Sequence, residues 1–371
     1  MRDRLFDTGE EVHLSQVAVM IFIISITYKI VMLPKYLAMG APRDFVVGAS
    51  IAMLIEIAMF GMVVAVISYT NIYDMYAHYW VKVVIALGII ISSMTKLLVL
   101  SIETLDYIST MLFQEGRWLF IILTLIPALG YIAYRGANTI ARMAEIVIWA
   151  VVVSFLFTLF FLKADIHLDN LLPIFDGGIS PLVSTYMRHS MWFGDYMSLL
   201  VLSVSRRRRR LDKVALPLSL VATYAVTMGF FVLFVAVYGD VAPYIKYAFS
   251  NIGIYNSVSN MLGGVDFPIV CVWLLMAIVK LSLLLYSVTY SIGEIVRKKH
   301  DKKWRIAIVA TVVVAVMLIL SFAVDGARDM YAFATGWVRY VVLAVDVLIP
   351  LVLFGTYLVK KRCIRQKHTH I

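Results

Sequence analysis

The chain is short of charge, cysteine and histidine, and each shortage excludes something. Asp, Glu, Lys and Arg together make up 15% of the 371 residues, while hydrophobic residues make up 62%. No soluble fold hides so much apolar surface. Only two cysteines occur, Cys271 inside an apolar run and Cys363 in a basic tail. At different bilayer levels they offer no disulfide framework. Seven scattered histidines, with no HExxH pair, leave a metal site without support. A GxSxG elbow and a phosphate-cradling glycine loop are also missing, so no enzyme centre and no cofactor is expected. The sequence has no low-complexity tract and no separate soluble domain. Its first apolar run is too long for a cleavable signal.

What is present is length of apolar run. A bilayer core of roughly 30 Å needs about 20 apolar residues in a helix to cross it. Ten candidate spans follow: Leu14–Tyr36, Val46–Tyr69, Val81–Leu105, Leu119–Tyr134, Ile140–Leu162, Ser184–Ser205, Val214–Tyr238, Phe267–Ile295, Ile306–Val324 and Trp337–Val359. The gaps between them alternate between rich and poor in Lys and Arg. Segments 1–13, 70–82, 135–142, 206–213, 297–305 and 360–371 hold 22 of the 33 basic residues. The positive-inside rule puts these segments, and with them both termini, in the cytoplasm. The net charge of +10 is therefore no sign of nucleic-acid binding. The run Arg206–Arg210 directly follows a span and reads as a topology anchor touching anionic lipid. The longest polar excursions, 163–183 and 239–266, fall on the opposite side and read as packed loops or short helices.

Ionisable residues inside hydrocarbon are costly and usually face a cavity or a partner. The spans contain Lys29, Glu56, Lys96, Glu103, Glu145, Asp195, Lys280 and Asp346. Glu145 lies three residues after Arg142 and shares its helix face, which predicts a pair near the cytoplasmic end. Glu103 lies near the outer end of its span, within reach of water. Asp195, Lys29 and Lys280 are deeper. They form either a structural charge network or a substrate or proton site, and the two roles are compatible.

Two spans carry signs of a break. The first reads Ser25-Ile26-Thr27-Tyr28-Lys29 at mid-depth and then Leu33-Pro34; the sixth reads Trp192-Phe193-Gly194-Asp195. Glycine followed by an acid at mid-membrane suits an interruption whose freed backbone groups line a polar cavity. Interruptions at matching places in two halves point to an inverted-repeat transporter with its site at the midplane. One transmembrane domain over 1–371 is expected: repeat one at about 14–162, repeat two at about 184–359, and a basic tail at 360–371. Lys96 and Lys280 recur at similar depth in the equivalent third and eighth spans.

Several features together resemble a known family. They are Leu33-Pro34, Gly136 through Arg142 to Glu145, and the run Asn170-Leu171-Leu172-Pro173 with Gly177-Gly178 leading to Phe193-Gly194-Asp195. Trp273, Lys280 and Leu285-Tyr286 complete the set. This pattern is similar to the permease-like subunits of spore germination receptors, the GerAB type, within the amino acid–polyamine–organocation superfamily. The resemblance covers nearly the whole chain. It implies an all-α integral membrane protein with a LeuT-like fold of ten transmembrane helices in a 5+5 inverted repeat, the first and sixth interrupted. It also implies a role in the spore inner membrane beside a larger membrane subunit and a lipoprotein subunit. Where such permeases carry small residues in the first break, this chain has Tyr28 and Lys29. Asp195 stands where Glu is more usual.

The expected ligand site is built from Thr27, Tyr28, Lys29, Trp192, Phe193, Gly194 and Asp195, with Lys96, Glu145 and Lys280 as a charge or proton relay. A small amino-acid-like ligand would place its carboxylate on backbone N–H groups at a half-helix amino end. The Lys29 ammonium stands in for a coupling cation, pairs with that carboxylate, or is neutralised by Asp195. Two functions remain open: a receptor subunit that signals germination, and a stand-alone proton-coupled amino acid or polyamine carrier. The second draws on buried lysines, which can exchange protons.

Overall fold

The computed structural model describes residues 12–69, 72, 73, 76, 78–113, 118–161, 166–172, 178–202, 212–254, 266–297, 301–323 and 332–369. The Arg206–Arg210 run, Pro173, Asp176 and Gly177 lie outside them, as does the Cys363 side chain. The described chain is nearly all helical. In order come α1 (Leu14–Ile26), α2 (Leu33–Gly40), α3 (Phe45–Ile67), α4 (Tyr79–Met111), α5 (Trp118–Arg135) and α6 (Ala137–Phe161). Then follow α7 (Ile179–Arg188), α8 (Tyr196–Leu202), α9 (Asp212–Tyr238), α10 (Ala248–Ile254), α11 (Asp266–Val296), α12 (Lys302–Ala323) and α13 (Val338–Thr369).

Eight helices among the described residues are long and apolar enough to cross a membrane. They coincide with eight of the ten expected spans. The other two expected spans, 14–36 and 184–205, are not continuous: α1 gives way to turns over 27–32 before α2, and α7 and α8 are separated by 189–195. Pro34 sits in the first turn of α2, where its missing N–H costs nothing and its fixed φ suits a helix start. Both polar excursions contain short helical pieces, 3-10 turns at Leu168–Leu171 and Gly239–Tyr244 and the helices α7 and α10.

Helix α11 is the centre of the bundle. It packs along α4 and also meets α1, α5, α6, α8, α10 and α12. In its most apolar stretch 72% of residues are buried, against 22% in α12, which lies at the edge with its apolar side chains facing outward. Around α11, α1 packs on α9 and α6, and α3 packs on α9 and α13. The short α8 is wedged between α3, α4 and α11. That position brings its N-terminal end next to charged residues from several long helices.

One end of the bundle is tied by polar bridges made by the connecting segments. Arg43 holds Asp240 through both carboxylate oxygens, with Nη2 at 2.9 and 3.0 Å, and Arg43 Nη1 donates to the carbonyl of Leu172 at 3.1 Å. Nearby, Lys246 pairs with Asp106 at 2.8 Å. Tyr247 donates its hydroxyl to the same carboxylate at 2.9 Å. Burial, reinforced by that carboxylate, pushes the Tyr247 phenol well above its usual value, so it stays a donor.

Candidate functional site

The sixth interruption is a true break. Helix α7 ends at Arg188, a 3-10 turn spans Ser190–Trp192, and Phe193 is extended (φ −109°, ψ 179°). Gly194 follows at φ +80°, in the left-handed region that glycine tolerates and L side chains resist. Space adds a second constraint there. A Cβ on residue 194 would run into Asp346 Oδ2 and lie 2.8 Å from Lys96 Nζ.

In a bilayer the freed peptide groups have no water to turn to. Here charged side chains take them. The N–H groups of Gly194 and Asp195 both donate to Glu56 Oε1, at 2.8 and 3.1 Å. Lys96 Nζ donates to the carbonyls of Phe193 and Gly194, at 2.8 and 3.0 Å. A carboxylate therefore covers the donor side of the break and an ammonium covers the acceptor side.

These two groups belong to a cluster of six. Asp195 meets Lys280 at 2.8 Å through one oxygen and Lys29 at 3.0 Å through the other. Lys29 also faces Glu56 Oε2 at 3.3 Å. Lys96 pairs with Asp346 at 2.7 Å, and Ser92 donates to the second oxygen of Asp346. None of the six is more than 7% exposed. Three ammoniums against three carboxylates leave the cluster formally neutral, the condition under which buried charge is tolerable. The Lys29 ammonium lies 5.1 Å from the Phe193 ring centre and 5.2 Å from that of Tyr224, close enough for cation–π attraction.

The first interruption is milder. The N–H groups of Ile30 and Met32 still bond four residues back, and that of Leu33 bonds five back to Tyr28 at 3.3 Å, a widened turn. Two carbonyls released by the widening find donors elsewhere: Thr27 takes the indole N–H of Trp273 at 2.8 Å, and Val31 takes the backbone N–H of Ala248 at 2.8 Å.

The sequence profile of a family described as spore germination protein matches residues 11–325. The chain belongs to that family. No curated protein matches it significantly. Membership, together with eight apolar helices, makes this a multi-pass, permease-like membrane protein of spore germination. The family is of transporter or receptor type.

Most residues that the sequence singled out in this permease-like protein meet at the sixth break. Lys29, Lys96, Phe193, Gly194, Asp195 and Lys280 are in direct contact there, while Thr27 supplies a carbonyl to Trp273 on the adjoining turn. Tyr28 and Trp192 lie beside the cluster and are engaged by α4. The Tyr28 hydroxyl is 2.6 Å from Thr104 Oγ1, and Trp192 Nε1 donates to Glu103 at 3.1 Å. Glu103, half-buried near the outer end of its span, is also a partner for an indole. Glu145 stands apart, half-buried on α6, and accepts from Gln16 of α1 at 3.0 Å. That contact is with α1, away from the break itself.

Two members of the cluster were not expected in it. Glu56 and Asp346 stood out in the sequence only as charges inside spans, on helices without a break. Their long-range partners depend on which face each helix turns inward, and α3 is apolar nearly all round, so periodicity gave no direction. The informative signal was arithmetic. Three buried lysines need three acids, and Asp195 alone could not neutralise them.

Proposed function

We propose that this chain is the membrane-embedded, permease-like subunit of a nutrient germinant receptor. In this reading a small amino-acid-like ligand binds at mid-membrane beside the sixth break, and its binding signals germination. Ten spans in two inverted five-helix repeats, both termini in the cytoplasm and partner subunits in the same membrane complete the proposal. The observation that carries it is the convergence of six buried charges on one broken helix. Such a concentration is expensive in a bilayer and marks a functional site by default. A surface cleft lies on the same side as Phe193. A cleft of about 370 Å³ lined by Arg43, Asp44, Leu182 and Asp240 shares Ala41 and Leu182 with a small apolar space that reaches Phe193.

In this reading the ligand shifts a population between states by the difference in its affinity for them. A receptor passes the shift to its partners, and a carrier ends it in release on the far side. The three lysines, each against an acid, keep the proton-coupled amino acid or polyamine carrier as the second reading. The decisive experiment compares Asp195→Asn with the parent in spores. Loss of the response to one nutrient, beyond what any fall in membrane level accounts for, is expected; an intact response removes Asp195 from the site. Uptake of labelled amino acids by the isolated chain in liposomes under a pH gradient would favour the carrier instead.

A further inference from the structure

We infer that Glu56 is a resident occupant of a carboxylate site: its side chain holds the place that the carboxylate of an amino-acid-like ligand takes. The inference rests on the ligand reading above. It adds the ligand's point of attachment and an autoinhibitory contact.

The two sides of the break are built differently. In a trans peptide the N–H and C=O point in opposite directions, so the donors and acceptors of 193–195 face opposite ways. On the donor side, two amides converge on Glu56 Oε1 at 2.8 and 3.1 Å, and the Lys29 ammonium lies 3.3 Å from Oε2. Two N–H groups and an ammonium around one carboxylate form a receptor for carboxylates in general, because charge-assisted hydrogen bonds are the strong ones. On the acceptor side, Lys96 bonds two carbonyls and Asp346, whose other oxygen is held by Ser92. Every oxygen on that side has a hydrogen-bond donor.

Glu56 is less well served. It is 4% exposed, and its Oε2, 3.3 Å from Lys29, completes no hydrogen bond of good geometry, although the Tyr224 hydroxyl also interacts with this carboxylate. A buried, unsatisfied oxygen is costly. A free carboxylate exchanging for Glu56 makes the same two amide bonds and is free to turn its second oxygen squarely onto Lys29. A single zwitterion cannot engage both sides of the break, so Lys96 and Asp346 remain as scaffold. The ligand ammonium then faces Asp195, in competition with Lys280. Exchange also has a mechanical result. Glu56 rides on α3, which packs against α7, α8, α9 and α13, and its release cuts the bonds tying α3 to the break.

The test uses the full chain in lipid nanodiscs, as the parent, Glu56→Ala and Glu56→Gln. Sodium acetate against sodium chloride probes the site without any knowledge of the ligand. Acetate should raise the unfolding temperature of Glu56→Ala saturably and leave the parent unmoved. Binding of a panel of labelled L-amino acids should tighten by about tenfold or more in Glu56→Ala, because the resident competitor is gone. Should Glu56→Ala not fold, Glu56→Gln keeps the volume but loses the charge, and a several-fold tightening is expected from it. No selective acetate effect, or amino acids bound equally or more weakly by the variants, overturns the inference while parent binding keeps the ligand reading alive. Acetate protection with no amino acid bound by any form upholds the carboxylate site and removes the amino-acid reading instead.

Discussion

In the first interrupted segment the backbone stays close to helical, and its released carbonyls are met by uncharged donors, an indole and a backbone amide. In the sixth the chain leaves the helix for several residues, turns through a left-handed glycine, and is held by a carboxylate on one side and an ammonium on the other. The cost of the opening explains the difference. A widened turn frees two acceptors, which neutral donors satisfy. A full break frees donors and acceptors together, and charged partners bind both far more strongly in a low-dielectric interior. Charged partners then need countercharges, and the cluster of six follows. The sixth break should therefore be the fragile one when a partner is removed, and the first should bend without failing.

The largest effect is expected at Lys96. Lys96→Met removes the ammonium from two carbonyls and strands Asp346 as a buried charge, a loss on the order of 3–5 kcal/mol. Thermal unfolding of purified protein should show it as a large drop. Lys96→Met with Asp346→Leu should recover much of the loss, because the stranded charge goes too. If the single substitution is mild, the charge clamp is not what holds the break. Gly194→Ala comes next. It pairs a strained left-handed conformation with a collision against Asp346 and Lys96, a penalty of about 2–4 kcal/mol. A variant with unchanged unfolding temperature would mean that residue 194 does not need its positive φ.

How much of this was legible in the sequence depends on the kind of signal. The apolar runs gave the membrane-crossing part of each continuous helix, because bilayer thickness fixes its length, while α4 and α13 run six and ten residues past the expected ends. Gly194 next to Asp195 gave the sixth break, since that pair makes no sense on a lipid-facing helix. Asp195, Lys29 and Lys280 were grouped by depth, and they do meet. Depth could not give azimuth. Glu56 on an evenly apolar α3 carried no sign of which way it faced, and Asp346 had no local partner. Glu145 shows the limit of local rules: helical spacing relates it to Arg142, but its contact with Gln16 across 129 residues of chain follows from no local pattern.

The smallest effect should come from the first interruption. Trp273→Phe keeps the ring that packs edge-on against Tyr28 at 5.5 Å but removes the N–H that satisfies the carbonyl of Thr27. One neutral hydrogen bond in a buried site is worth about 1–2 kcal/mol. A widened turn can recover part of that by closing back towards a regular helix, which the sixth break cannot do around Gly194. A modest fall in unfolding temperature is therefore expected, well below that of Lys96→Met measured side by side. Equal losses in the two variants would erase the distinction between a turn eased open and a chain held apart by charge, and the first segment would then count as a break of the same kind as the sixth.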